Sequence, residues 1–255
     1  MTKEERHCEI MDNLLKQGSI QVTELANNLQ VSSVTIRKDL TDLEKEGKLY
    51  RSHGKAILIN PFTNNRTVTE KEKLNMDEKR LIGVEAAKLI MPNDSIVLAS
   101  GTTIHALARN IHPDSRLTVV TASLQVAEVL APLDTIDLIQ LGGMVRHTSL
   151  SVVGKYAEMI LSGFSFSKLF LGVDGIDLEF GISTTDMREA EINRAMMQTA
   201  QKTIVLADST KFGRRGFAKI SNIEDIDMII TDNRLPETTH QQLEAMGIDI
   251  VIVDE

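Results

Sequence analysis

"SSVTIRKDLTDLEKEG", Ser32 to Gly47, reads as one helix with two different faces. Ile36, Leu40 and Leu43 recur at i, i+4 and i+7, the spacing of a single buried stripe, so Arg37 and Lys38 must lie off it. Ser32 or Ser33 supplies the N-cap. Upstream, "IQVTELANNLQV" (20–31) places Thr23 as N-cap of a shorter helix whose Leu25, Ala26 and Leu29 face inward, with a tight turn at Gln30 and Val31. Before it, 5–17 forms an amphipathic helix with Ile10, Leu14 and Leu15 inward, stopped by Gly18. Downstream, "KLYRSHGKAILI" (48–59) alternates short apolar and basic positions around Gly54, the pattern of a two-stranded wing.

Two short helices joined by a tight turn, the second opening in small hydroxyl residues, constitute a helix-turn-helix, and the hairpin after them makes it winged. The residue types suit double-stranded DNA. Ser32, Ser33 and Thr35 are small enough to let the helix N-terminus approach phosphates or base edges, and Arg37 offers a bidentate contact to guanine. Lys38 lies beside it, and Arg51, His53 and Lys55 on the wing are expected to flank phosphates. The competing reading makes Arg37 and Lys38 a solvated face paired with Asp42.

Charge separates the chain into two parts. Its 255 residues carry 28 Lys and Arg against 36 Asp and Glu, a net −8, yet residues 1–58 hold nine of each, so the whole acidic excess lies beyond them. Such asymmetry fits an N-terminal part that meets an anionic partner. At 42% hydrophobic the chain is globular and long enough for two domains. The absence of an apolar run near 18 residues and the charged start "MTKEERHCEI" argue against a membrane span or signal peptide, so a cytoplasmic protein without a membrane partner is expected. The lone Cys8 excludes an internal disulfide and reads as structural.

"NPFTNNRTV" (60–68) reads as a linker, which divides the chain into a DNA-binding domain (1–58), a linker (59–69) and a second domain (70–255) entered through a helix over about 70–91. Then "SIVLAS", "LTVVTAS", "IDLIQLGG", "KLFLGVDG", "KTIVLADS", "DMIITD" and "IDIVIVD" alternate with helical stretches, which implies a doubly wound, largely parallel α/β domain. Ligands of such sheets sit beyond the strands' carboxyl ends. The residues there are Ser100, Gly101, Thr102 and Thr103, then Thr121 and Ser123, Gly142 and Gly143, Asp174, and Asp208 with Lys211. Glycines next to hydroxyls present N–H and O–H donors to a phosphate and Lys211 supplies a countercharge, so a small phosphorylated polar ligand is expected. Met187, Met196 and Met197 read as core, and His105, His112 and His147 lack paired metal-ligand spacing, so no metal or cofactor is expected.

The run S-x-x-T-I-R-x-D-L-x-x-L-E stands intact from Ser32 to Glu44, and with it the N-terminal part resembles the winged helix-turn-helix of the DeoR family of bacterial sugar-metabolism regulators. "SGTT", "LGG", "GVDGI", "ISTTDMREAE" and "ADSTKFG" resemble that family's effector domain, similar in fold to ribose-5-phosphate isomerase. The resemblance implies a transcriptional repressor of a carbohydrate-utilisation operon, released by a phosphorylated sugar. It sets Gly101, Thr102, Thr103 and Lys211 at the phosphate, and Asp174 and Glu189 at the sugar. The chain departs from the family in Lys55 after Gly54, where a second glycine is usual, and in Ala99 and Ala122, where Asp and Asn are frequent. One recognition helix reads few base pairs, so a homo-oligomer, dimer or tetramer, is expected. The alternative is a phosphosugar isomerase with an accessory domain, whose base would be Glu189 or Glu191. It is disfavoured because "DGIDLEFGISTTDMRE" contains no Lys, and its one cation, Arg188, is expected to pair with Glu189 or face solvent.

Overall fold

The computed structural model describes residues 1–45, 48–52, 54–58 and 66–254, so the expected contact His53 and most of the expected linker lie outside it. The chain divides into two compact units, Met1–Asn64 and Asn65–Glu255. In the first, helix α1 (Lys3–Gln17) is followed by strand β1 (Ser19–Gln21), helices α2 (Val22–Asn28) and α3 (Ser33–Lys45), and strands β2 (Leu49–Ser52) and β3 (Lys55–Leu58). The strands form an antiparallel sheet in the order β1-β3-β2.

Helical spacing determines what is inside this unit. Ile10 and Leu14 from α1, Leu25 and Ala26 from α2, and Ile36, Leu40 and Leu43 from α3 close on Leu49 and Ala56 of the wing. Each such Leu or Ile contributes about 1.5–3 kcal/mol by leaving water. Ser32 caps α3 by accepting the Thr35 N–H at 3.1 Å, and Gln30, in the left-handed region at φ 52°, turns the chain between α2 and α3. Thr23 is not a cap: α2 begins at Val22 after Gln21, without a side-chain cap bond. Cys8 is exposed rather than part of the core.

The second unit opens with α4 (Val68–Glu72), which starts inside the stretch expected as linker, and α5 (Met76–Ala87). These two replace the single helix expected over 70–91, because Asn75 takes a left-handed φ of 49° between them. Next come β4 (Ser95–Leu98), α6 (Thr102–Ala108), β5 (Leu117–Thr121), α7 (Leu124–Leu130), β6 (Ile136–Gln140), β7 (Met144–Arg146), β8 (Ser151–Val153) and α8 (Lys155–Leu161). They are followed by β9 (Lys168–Gly172), β10 (Gly175–Asp177), β11 (Gly181–Thr184), α9 (Met187–Thr199), β12 (Thr203–Leu206), β13 (Ala218–Ser221), β14 (Met228–Asp232), α10 (Glu237–Ala245) and β15 (Asp249–Val253).

The seven apolar runs form one wholly parallel sheet in the order β15-β14-β12-β9-β4-β5-β6. Alternate side chains enter opposite cores: Val97, Leu169 and Val205 meet α8 and α9, while Ile96, Phe170 and Ile204 meet α5 and α6. Two small antiparallel sheets, β7-β8 and β10-β11-β13, accompany it and are not evident from the periodicity. From β4 the chain winds outward to β5 and β6, then crosses back to β9 on the other side of β4 and continues to β12, β14 and β15. The order therefore reverses between β4 and β9, and the crevice at their carboxyl ends is the topological switch point.

Candidate functional site

The first unit presents one polar surface at the start of α3. Ser32 is exposed, Ser33 and Thr35 are half-buried, and Arg37 and Lys38 are exposed. Neither cation has a side-chain partner among the described residues, because Asp42 pairs instead with Lys3 at 2.7 Å. Asp39, from the same sequence run, is buried and receives Arg6 of α1 in a bidentate pair, Nε to Oδ2 at 2.7 Å and Nη2 to Oδ1 at 3.0 Å. That pair fixes α3 against α1 and keeps the Arg37 side free. Arg51 departs from expectation: its guanidinium and backbone N–H both go to Glu44 at the end of α3, so it ties wing to helix with its charge already compensated. Lys55 is exposed at the start of β3. Val34 was not anticipated. It is an exposed apolar side chain on the first turn of α3, suited to the methyl group of thymine.

In the second unit the switch point gathers residues from several elements far apart in the chain. Gly101, at φ 119°, precedes α6 in a conformation that favours glycine, and a Cβ there would meet open space. Gly172 at the end of β9 comes so close to the turn that its Cβ would lie 3.1 Å from the Ser100 carbonyl oxygen. Ser100, Gly101 and Thr102 are half-buried and Thr103 is buried. Asp174 follows β9. Its Oδ1 accepts from Lys71 Nζ at 2.6 Å, a cation supplied by α4 and absent from the sequence reading. Its Oδ2 lies 3.1 Å from Thr184 Oγ1, which is also 3.2 Å from Glu189 Oε2, so one hydroxyl proton bridges the two carboxylates.

Around this pair charges accumulate. Burial works against ionised Asp174, yet Lys71 and Lys211 outweigh it and hold the carboxyl well below the usual carboxylate range. Burial pushes the Lys79 ammonium down to about 8, with Asp208 pulling the other way, and Lys211 is lowered for the same reason against Asp208 and Asp174. Lys79 Nζ donates to the carbonyl oxygens of Lys71 and Leu74 at 2.6 Å each, which caps the end of α4. Glu72 next to Lys71 faces His105 at 3.3 Å and Arg109 at 3.5 Å on α6, so α4 is held on both sides. Asp208 accepts from Asn75 Nδ2 at 2.9 Å and from the Thr210 hydroxyl. The ammonium of Lys211, on a single 3-10 turn at Ser209–Lys211, makes no hydrogen bond or ion pair among the described residues. The ammonium groups of Lys71, Lys79 and Lys211 and the carboxylates of Asp174 and Asp208 thus act on one another, with Glu72 and Arg214 contributing at the margin.

Several expectations require correction. Thr121 is wholly buried, its hydroxyl donating to the Leu98 carbonyl oxygen at 2.8 Å and accepting the Ser123 N–H at 3.0 Å. Ser123 is buried as the N-cap of α7, accepting the Val126 N–H. Neither hydroxyl is available to a ligand. Gly142 and Gly143 are exposed after the edge strand β6, two strands from the switch point. Glu189 is buried and pairs with Arg146 Nη1 at 3.2 Å, while Arg188 pairs with Asp186. Met196 is in the core, as expected, but Met187 is exposed. Ala99 and Ala122 are core residues. No helix of the described residues is long and apolar enough to cross a membrane, and among them no cluster of three metal-ligating side chains occurs.

Comparison with known proteins bears on both units. Residues 6–62 match the DeoR-like helix-turn-helix domain and residues 74–233 the DeoR C terminal sensor domain. The chain is 38% identical over 253 residues to a protein of Escherichia coli O157:H7 with the provisional name of aga operon transcriptional repressor, covering 98% of this chain and 94% of that one. It is 32% identical over 256 residues to the transcriptional repressor GlcR of Bacillus subtilis strain 168, covering 100% and 98%. Among solved structures it is similar to a ribose 5-phosphate isomerase from Methanocaldococcus jannaschii, at 17% identity and a TM-score of 0.41 over 54% of this chain and 55% of that one. With a family match in each unit and full-length relatives above 30% identity, the chain belongs to the DeoR family of DNA-binding transcriptional regulators.

Proposed function

We propose that this regulator represses a carbohydrate-utilisation operon in the cytoplasm and leaves its operator when a phosphorylated sugar enters the switch-point crevice. The observation that carries the reading is the ammonium of Lys211, which lies beside Asp174 and Asp208 yet makes no side-chain hydrogen bond or ion pair of its own among the described residues. A phosphate dianion gives this ammonium an ion-pair partner, and the Ser100, Gly101, Thr102 and Thr103 turn offers it further donors. Asp174 and Glu189, linked through Thr184, are acceptors for sugar hydroxyls. Relatives named as repressors, including the lactose phosphotransferase system repressor of Streptococcus mutans serotype c, support the carbohydrate reading.

At the operator, Ser32, Ser33, Val34, Thr35, Arg37 and Lys38 face the major groove and Lys55 a phosphate, with the chain acting as a homodimer or a larger symmetric oligomer. The isomerase reading is weaker, because of its two candidate bases Glu189 is engaged by Arg146 and Glu191 is exposed on α9 rather than beside it in the buried cluster. A thermal-shift screen of sugar phosphates against their unphosphorylated sugars tests the effector class. A ligand at 100 times its dissociation constant adds about 2.7 kcal/mol. Equal responses to a sugar and its phosphate would overturn the reading.

A further inference from the structure

Helix α3 turns one continuous face to solvent. At about 100° per residue, Arg37 and Lys38 stand within about 60° of Val34, while Ile36, Leu40 and Leu43 of the buried stripe fall on the far side. Thr41 continues the outer face, but its hydroxyl donates to the Arg37 carbonyl oxygen at 2.7 Å. At the helix start Ser32 and Thr35 are committed to each other: their hydroxyls lie 2.9 Å apart, and Ser32 also accepts the Thr35 N–H. Ser33 stands about 100° back from Val34, toward the flank of Leu40, and is half-buried. The side chains best placed to read bases are therefore Val34, 62% exposed, and the cations Arg37 and Lys38.

Val34 is out of place as a solvated residue. The first turn of a helix favours Asp or Glu, and α1 carries Glu4 and Glu5 there and α2 carries Glu24, yet α3 has neither and sets a β-branched apolar residue in that turn. A carboxylate would repel DNA phosphates, whereas valine does not. Its two methyl groups hold no donor or acceptor, and the apolar group that unmodified DNA presents on a base edge in the major groove is the C5-methyl of thymine. Val34 and Arg37 are about 4.5 Å apart along the helix axis, against about 3.4 Å per base step, so they reach neighbouring base pairs. We propose that Val34 is a specificity-determining residue that selects a thymine on the base pair next to the guanine read by Arg37. The inference rests on the reading that α3 lies in the major groove, and it adds the identity of one operator base.

The test uses the full chain and the duplex it selects from a random library, with binding followed by fluorescence anisotropy. Replacing thymine by deoxyuridine removes the C5-methyl and leaves base pairing intact. In each half-site one thymine beside a guanine should respond, with about four-fold weaker binding per methyl removed, the effect of one buried methyl group. Val34→Ala should bind the thymine duplex more weakly, bind random duplex as the wild type does, and no longer distinguish thymine from deoxyuridine at that position. Val34→Asn, put through the same selection, should replace that thymine and keep the guanine. Val34 is solvent-facing, and unchanged circular dichroism establishes that both variants are folded. If no deoxyuridine weakens the wild type, or if Val34→Ala stays equally sensitive to the same methyl, the Val34 assignment fails while loss of specific binding by Arg37→Ala still upholds the groove reading. If Arg37→Ala also binds the selected duplex as tightly as the wild type, both readings fail.

Discussion

Replacing Lys211 by methionine examines the crevice with little disturbance to the fold. Methionine keeps the length of the side chain and removes its charge. No hydrogen bond or ion pair among the described residues is lost, and Asp174 keeps Lys71 and Thr184. Burial already lowers the Lys211 ammonium, so the folded chain carries a cost that the substitution removes. The unliganded variant should therefore unfold at the wild-type temperature or above it, and bind operator DNA with unchanged affinity. What it loses is one charge-assisted hydrogen bond to the phosphate, about 1.5–3 kcal/mol, which raises the effector concentration for release roughly ten- to hundred-fold. Fluorescence anisotropy of labelled operator, titrated with the sugar phosphate that stabilises the wild type, measures this directly. Lys71→Met makes the contrast: it strips Asp174 of its ion-pair partner and should lower stability as well as response. If Lys211→Met is released at the wild-type effector concentration, the phosphate binds elsewhere and the crevice assignment fails.

Arg37→Ala should cost roughly 1–3 kcal/mol on the specific operator and little on random duplex, whereas Lys55→Ala should weaken both alike; equal losses on both duplexes for each variant would contradict the assignment. Asp39→Ala leaves Arg6 without its bidentate partner and should destabilise the DNA-binding unit by about 2–4 kcal/mol, read as early loss of its hydrogen-exchange protection. Lys79 gives a pH signature. With its folded pKa near 8 and the ordinary value of 10.5 unfolded, the unfolded chain binds the extra proton between those limits, so stability from this group rises with pH there. From pH 7.5 to 9.5 the wild type should gain roughly 2 kcal/mol relative to Lys79→Met in urea unfolding, and parallel profiles would exclude the linkage.

Much of the fold is legible because its elements are periodic. Ile36, Leu40 and Leu43 mark the face of α3 without ambiguity, and each near-continuous Ile, Val and Leu run became a strand of the parallel sheet. The small sheets escaped for a physical reason. β7, β8 and β10 have three residues each, too few to display a two-residue period, and β11 is buried at all four positions, so it shows no alternation. The break between α4 and α5 was equally hidden, since Asn75 tolerates both helical and left-handed backbone and no glycine or proline marks the place.

The site was legible as a set of residue types and not as a set of free groups. Hydroxyls after parallel strands are ligand donors only if the turn itself does not consume them. Thr121 and Ser123 are consumed, the first bridging β4 to the next turn and the second capping α7. Cations are harder still to place, because a long flexible side chain reaches a site from any element nearby. Lys71 stands 103 positions before Asp174 and Arg146 stands 43 before Glu189, so no local motif announces either pair. Lys211 is the informative exception. It follows its strand within the short turn that positions it, and its ammonium remains uncommitted beside two carboxylates and two other lysines. A half-buried charge in that condition raises the energy of the empty protein, and an anion that pairs with it is bound with that energy in its favour.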